Sequence, residues 1–169
     1  MTIRIEPIGV SPKVDAALED LLHEAYVGGG FTEPHLANGM LRAAAVRSRG
    51  LVLVAHDDEG ELLGTVTLVT SDSPARRLAG PDEVEFHLLC VRAANRRTGV
   101  GRALVHEALA RAQAVGARGI VLWTQPTMNA AQKLYEQVGF RRDPSADFTR
   151  GTRPFLVYRF SFLNGPKEG

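Results

Sequence analysis

Polar and apolar positions alternate from Thr2 through Ile3, Arg4, Ile5 and Glu6, the period of a half-buried strand. After Ser11-Pro12, a helix-start pair, apolar residues recur at Val14, Leu18, Leu21, Leu22 and Ala25. That spacing predicts a helix, which Gly28-Gly29-Gly30 ends. Glu33-Pro34 opens a second helical stretch to about Ser48, and Gly50 releases the chain into the apolar run Leu51 to Ala55. Asp57-Asp58-Glu59-Gly60 is turn chemistry, and Leu62 to Thr70 is strand-like again, so residues 51–70 are expected to form an antiparallel hairpin.

Residues 71–81 are rich in Ser, Pro, Arg and Gly without periodicity, which predicts a surface loop that need not be ordered. Strand pattern resumes over Glu83 to Val91, helix over Gly99 to Val115, strand over Gly119 to Thr124 and helix over Thr127 to Val138. Phe140 and the run Phe155 to Phe160 complete the sheet. An antiparallel first half followed by a β-α-β series implies an α/β (mixed α+β) architecture, a mixed sheet covered by helices. A chain of 169 residues supports one core, so residues 1–163 are expected to form a single domain and residues 164–169 a polar tail.

Composition narrows the function. With 44% hydrophobic and 23% charged residues the chain is an ordinary globular one. Lys plus Arg (20) balances Asp plus Glu (19), so no global field draws it to nucleic acid or an anionic membrane. No segment reaches the roughly 20 apolar residues of a membrane span, and the first residues do not resemble a signal peptide. A cytoplasmic location is expected. Cys90, the sole cysteine, excludes an intrachain disulfide, and the histidines at 23, 35, 56, 87 and 106 lack ligand spacing, so no metal is expected.

The strand ending Leu88-Leu89-Cys90-Val91 runs through a turn into Arg96-Arg97-Thr98-Gly99-Val100-Gly101-Arg102, followed by a helical stripe of Leu104, Val105, Ala108, Leu109 and Ala112. A helix N-terminus exposes unpaired N–H groups and partial positive charge, which suits a diphosphate. Gly99 and Gly101 remove side chains that would hold it off, and Arg92, Arg96, Arg97 and Arg102 add charge. The third glycine of a dinucleotide fingerprint is missing, and no Gly-Lys-Ser/Thr follows. Taken alone, the turn also fits a tight bend beside a solvated arginine cluster. Nucleic-acid binding by that cluster is disfavoured because aromatic interleaving is absent.

The run Arg-x-x-Gly-x-Gly at Arg96, Gly99 and Gly101, after Leu89-x-Val91, resembles the acyl-coenzyme A signature of the GNAT superfamily of N-acetyltransferases. A second block, Ala131-Gln132-Lys133-Leu134-Tyr135-Glu136-Gln137-Val138-Gly139-Phe140, resembles that superfamily's Ala-x-x-Leu-Tyr-Glu-x-x-Gly-Phe helix. The resemblance implies a mostly antiparallel mixed sheet of about seven strands with about four helices. It also implies acetyl-CoA as cosubstrate and direct acetyl transfer to an amine in a ternary complex. By this resemblance Leu89, Cys90, Val91, Arg96, Arg97, Thr98, Gly99, Val100, Gly101, Arg102, Asn129 and Ala131 contact the coenzyme. Where the family often has Asn, seven residues before the tyrosine, this chain has Met128, with Asn129 next.

The resemblance also implies a splay between the fourth and fifth strands at a bulge, which frees the N–H of Cys90 or Val91 for the thioester carbonyl. Tyr135 is implied as the acid that protonates the departing thiolate, with a packing role as the alternative. Glu85 and His87 lie two apart on a strand, on one face about 7 Å apart. Glu85 matches a position from which some members use a glutamate base, and His87 has the better intrinsic pKa. Strand alternation puts Cys90 on the face of Phe86 and Leu88, as a buried structural thiol. Residues 23–36, including Tyr26 and Phe31, with 71–82 and 143–154, are expected to wall the acceptor pocket. The acceptor is expected to be a small-molecule amine, with a peptide or protein amine as rival. A homodimer through the last strands is possible. A non-catalytic acyl-CoA sensor of the same fold is the alternative function.

Overall fold

A computed structural model describes residues 1–162; the tail expected over 164–169 lies outside the described residues. β1 (Arg4–Pro7) leads to α1 (Pro12–Leu22), whose start is fixed by the Ser11 hydroxyl accepting the Val14 N–H at 3.1 Å. A wider, π-type turn over His23–Val27 extends α1. The helical stretch expected from Glu33 to Ser48 is two helices, α2 (Pro34–Met40) and α3 (Ala43–Arg49). Arg42 between them is extended (φ −68°, ψ 140°). The break lets Leu41 turn into the same core as Ala43 and Val46, a tertiary demand that periodicity does not reveal.

β2 (Leu51–His56) and β3 (Leu62–Val69) form the expected hairpin, and β4 (Glu83–Val91), α4 (Val100–Ala114), β5 (Gly119–Thr124) and α5 (Asn129–Val138) follow as expected. The chain then adds β6 (Arg141–Arg142), β7 (Phe148–Arg150) and β8 (Arg153–Ser161). β7 falls in a segment expected to be loop: its three residues carry too short a pattern to read, and it exists by pairing with β8 at Phe148 and Phe155. Residues 71–81 are a loop, but an anchored one.

The strands order β1-β2-β3-β4-β5-β8-β6, with β7 also on β8; only β4 and β5 are parallel. Among the described residues the sheet thus has eight strands and five α-helices, one more of each than expected. Alternation along β2 divides the core: Leu53 faces α4 and α5 with Leu104, Tyr135 and Tyr158, while Val52 and Val54 face α1 and α3 with Leu18 and Val46.

Two irregularities make the site. β3 pairs Thr65 with Cys90 but Thr67 with His87, so β4 carries one extra residue, and Leu88 takes it up at φ 55°. The bulge breaks the expected alternation: Phe86 packs on the α4 side, whereas Leu88 and Cys90 pack on the α1 side. In addition, β4 pairs with β5 only at Glu83, Val84 and Glu85, beyond which the two strands part.

Candidate functional site

The parting of β4 and β5 opens a cavity of about 1050 Å³ whose lining includes His87, Leu88 and Leu89 from β4, Trp123 and Thr124 from β5, and Ala131 and Tyr135 from α5. Arg92 donates its backbone N–H to Leu63 O at 2.8 Å, across β3. Strand alternation then turns the Cys90 backbone to the β3 side and the Val91 N–H and C=O into the gap. One wall is closed at Leu89, whose carbonyl accepts the buried Tyr26 hydroxyl at 3.0 Å. The Cys90 thiol is buried, and burial pushes its pKa up to about 12, so it is no nucleophile.

Downstream of the gap, α4 begins at Gly99, which sits in the left-handed region (φ 91°) and caps the helix without a side chain. The first helical bond runs from the Ala103 N–H to Gly99 O at 3.0 Å, so the preceding N–H groups, those of Val100, Gly101 and Arg102, are open. Gly101 has a different job: a Cβ there would lie 3.2 Å from Leu134 and 3.5 Å from Val91, so its absence lets α4 meet α5 and β4. Arg96 and Arg97 are exposed beside this terminus, and neither side chain has a partner among the described residues. Thr98 donates its hydroxyl to Asn95 O and shapes the turn. Arg102 is occupied with Gln137 at 2.8 Å. Arg92 points elsewhere, to Leu62 O and to Asp20 and Glu24 of the α1 side. Asn129 is exposed at the first turn of α5, while Met128 lines the cavity.

Tyr135 is 6% exposed, its ring held among Phe140 and Tyr158 at centroid distances of 5.7 and 6.0 Å. Its hydroxyl makes no hydrogen bond among the described residues, and burial raises its pKa well above the usual phenol value. It is a neutral donor with no protein partner.

Glu85 and His87 do share a face, and they touch. Glu85 is fully buried; its Oε2 accepts the backbone N–H groups of Arg77, Leu78 and Ala79 at 2.8, 2.6 and 2.7 Å. Its Oε1 lies 2.7 Å from His87 Nε2. Burial pushes the Glu85 pKa up, but the bonds from His87 and the three amides outweigh it, and the net shift is downwards. This carboxylate is what orders the 71–81 loop. His87 Nδ1 lies 3.2 Å from Arg49 Nη1. Because a guanidinium only donates, Nδ1 is the acceptor and Nε2–H the donor to Glu85. Burial lowers the His87 pKa, Arg49 and Arg150 lower it further, and Glu85 only partly opposes them, so the imidazole is neutral at pH 7. Trp123 packs edge-on against it at 4.8 Å.

The three segments expected to wall the acceptor pocket converge on this cavity: Tyr26, Phe31 and Leu36 from the first, Pro74 to Arg77 from the second, Arg150 to Arg153 from the third. Arg49, at the end of α3, is the residue that sequence reasoning missed. It carries no motif, and only the fold brings it to His87. Among the described residues no three His, Cys, Asp or Glu side chains gather into a metal-binding group, and no helix is long and apolar enough to cross a membrane.

The sequence profile of the acetyltransferase (GNAT) family matches residues 16–140, a span that holds the open strand pair, the α4 turn and Tyr135. The chain belongs to the GNAT acetyltransferase family. It is 31% identical over 109 residues to an uncharacterised N-acetyltransferase of Schizosaccharomyces pombe, a match over 64% of this chain; the chain spans only 61% of that relative's length. A GNAT-family acetyltransferase of Staphylococcus aureus superposes with a TM-score of 0.74 at 15% identity, covering 95% of this chain and 99% of that one. A Bacillus subtilis acetyltransferase solved in complex with CoA gives 0.68 at 22% identity, over 96% and 100% of the two chains. These neighbours share the GNAT fold: a mixed sheet flanked by helices.

Proposed function

We propose that this GNAT protein transfers the acetyl group of acetyl-CoA to a primary amine by direct attack. The observation that carries the reading is the parting of β4 from β5 beyond Glu85. It opens a cavity with a neutral imidazole on one wall and an unpartnered phenol on the other, and the chain that leaves the free edge of β4 turns into the open N–H groups of α4. The relatives support it, since a fold neighbour from Bacillus subtilis holds CoA.

In this reading the amides of Val100 to Arg102, with Arg96 and Arg97, hold the pyrophosphate, because partial positive charge and free donors coincide there. Val91 offers N–H and C=O to the pantetheine arm as an added strand would. A free β4 N–H directed into the gap stabilises the oxyanion that develops at the thioester carbonyl; alternation favours Val91 over Cys90. Tyr135 donates its proton to the departing sulfur. For the base, the geometry favours His87 over Glu85. The Glu85 carboxylate is enclosed by four donors and has a depressed pKa, whereas His87 keeps a basic Nδ1 at the cavity wall. Glu85 is then a positioning residue, fixing the His87 tautomer through Nε2–H.

Coenzyme A release from acetyl-CoA tests the reading. Wild-type protein should release the thiol in the presence of a suitable amine. In Tyr135→Phe the kcat should fall roughly 100- to 10,000-fold, the range of a lost general acid. Unchanged kcat in a normally folded Tyr135→Phe protein would refute the acid role. A cytosolic site of action fits the supply of acetyl-CoA that such a reaction needs.

A further inference from the structure

The acetyltransferase reading leaves the acceptor open, and the cavity's charges narrow it. Its lining holds five arginines, Arg49, Arg76, Arg77, Arg150 and Arg153, against one carboxylate, Glu33. The chain as a whole is nearly neutral at +1, so this concentration is local. Arg153 spends its charge on Glu33 at 3.0 Å. Among the described residues Arg49 and Arg150 have no carboxylate at all: Arg49 rests on His87 Nδ1, and Arg150 lies 5.4 Å over the centre of the Phe155 ring. Arg49 is half-buried, and burial lowers its pKa, opposed by Tyr26 and reinforced by Arg150; Arg150 is exposed at the cavity's edge, where partial burial of its guanidinium and then the charge of Arg77 lower its own. Two such guanidinia in a cavity are an anion site.

Resting on the acetyl-transfer reading above, we propose that the acceptor is an amine bearing a carboxylate on the same or the adjacent carbon, an amino acid with an apolar side chain. The spacing sets the compact geometry. Nδ1 of His87 and Nη1 of Arg49 are 3.2 Å apart. An amine held by the first and an anion held by the second, each at about 3 Å and both approaching from the cavity, can lie on neighbouring atoms and at most about 9 Å apart. An α-amino carboxylate meets that, and a long diamine does not. The apolar side chain follows from Leu36, Met40, Trp123 and Phe155 in the same lining; Leu36 is 51% exposed without an acceptor. A polyamine would bring a second cation among unpaired arginines.

The arrangement also couples recognition to chemistry. In the resting protein Arg49 occupies the lone pair on which His87 would take the proton. A carboxylate that takes up the Arg49 N–H now spent on Nδ1, with the two side chains staying adjacent, frees that lone pair as the amine arrives, so the base is uncovered by the substrate that needs it.

Matched amines on the intact protein test this: an apolar amino acid, its carboxamide and its decarboxylated amine, read by coenzyme A release. The amino acid should exceed the other two in kcat/KM by roughly tenfold or more, the scale of a charged hydrogen bond. Arg49→Gln and Arg150→Gln should shrink that ratio, and Arg49→Lys should partly restore it, with thermal melts confirming folding. Equal or better turnover of the carboxamide or plain amine would overturn the anionic acceptor while leaving acetyl transfer intact. No thiol release with any amine would instead overturn the acetyl-transfer reading on which it rests.

Discussion

At the residue scale the decisive group is Glu85. Its sequence position suggests a base, yet no sequence pattern announces that the amides of Arg77, Leu78 and Ala79 will close around it. The signal was half legible: Glu85 and His87 two apart on a strand predict a shared face, and they do share one. What stayed hidden was the third party, Arg49, 38 residues away in sequence from His87. Glu85→Gln keeps the shape but loses the charge that four donors address, and should destabilise the protein by about 1–3 kcal/mol, read as a lower melting temperature. Tyr135→Phe should leave that temperature nearly unchanged, because the hydroxyl has no protein partner to lose. The sign with pH is fixed by the two depressed pKa values. Neutral His87 is favoured in the folded protein, so its contribution is complete above the ordinary histidine value of 6.5 and fades as pH falls below it. Ionised Glu85 adds a second loss below the ordinary carboxylate value of 4.5. Melting temperature should therefore fall from pH 7 to pH 4, less steeply in His87→Gln.

At the element scale, strong periodic segments were read well and short or context-dependent ones were not. The hairpin β2–β3 and the α4 stripe follow from spacing alone, and the α5 motif from its resemblance to the superfamily's helix. The α2–α3 break and β7 are tertiary outcomes: each places a side chain, Leu41 or Phe148, where packing elsewhere demands it. The β4 bulge was implied by the resemblance, but its effect on alternation, which moves Leu88 and Cys90 to the α1 side, was not. The two glycines of the phosphate turn show the same limit. They were expected to clear space for a ligand or to allow a tight bend, and the fold gives each a structural part as well: Gly99 supplies a left-handed cap and Gly101 an interhelical contact. Gly99→Ala should cost about 1 kcal/mol from the forced backbone conformation. By disturbing the amides of α4 it should also raise the KM for acetyl-CoA more than it lowers kcat. Titration of CoA binding by calorimetry checks the first effect separately from turnover.

At the scale of the whole molecule, the sheet holds the chemistry apart and together at once. β4 carries His87 and the free edge proposed for the coenzyme, α5 brings Tyr135 from the opposite face, and the α1–α3 side with the 71–81 loop and the β7–β8 hairpin builds the arginine-lined wall. Because the arginines come from α3, a loop and a hairpin, charge in the cavity was invisible to a net charge of +1. The most direct measurement is the rate of coenzyme A release from acetyl-CoA by wild type, His87→Gln and Tyr135→Phe, supplied with apolar amino acids across pH 5 to 9. The account predicts turnover by wild type and a kcat reduced roughly 100- to 10,000-fold in each variant, with the acidic limb of kcat/KM lost only in His87→Gln. Wild-type activity whose rate and acidic limb survive both substitutions would contradict it.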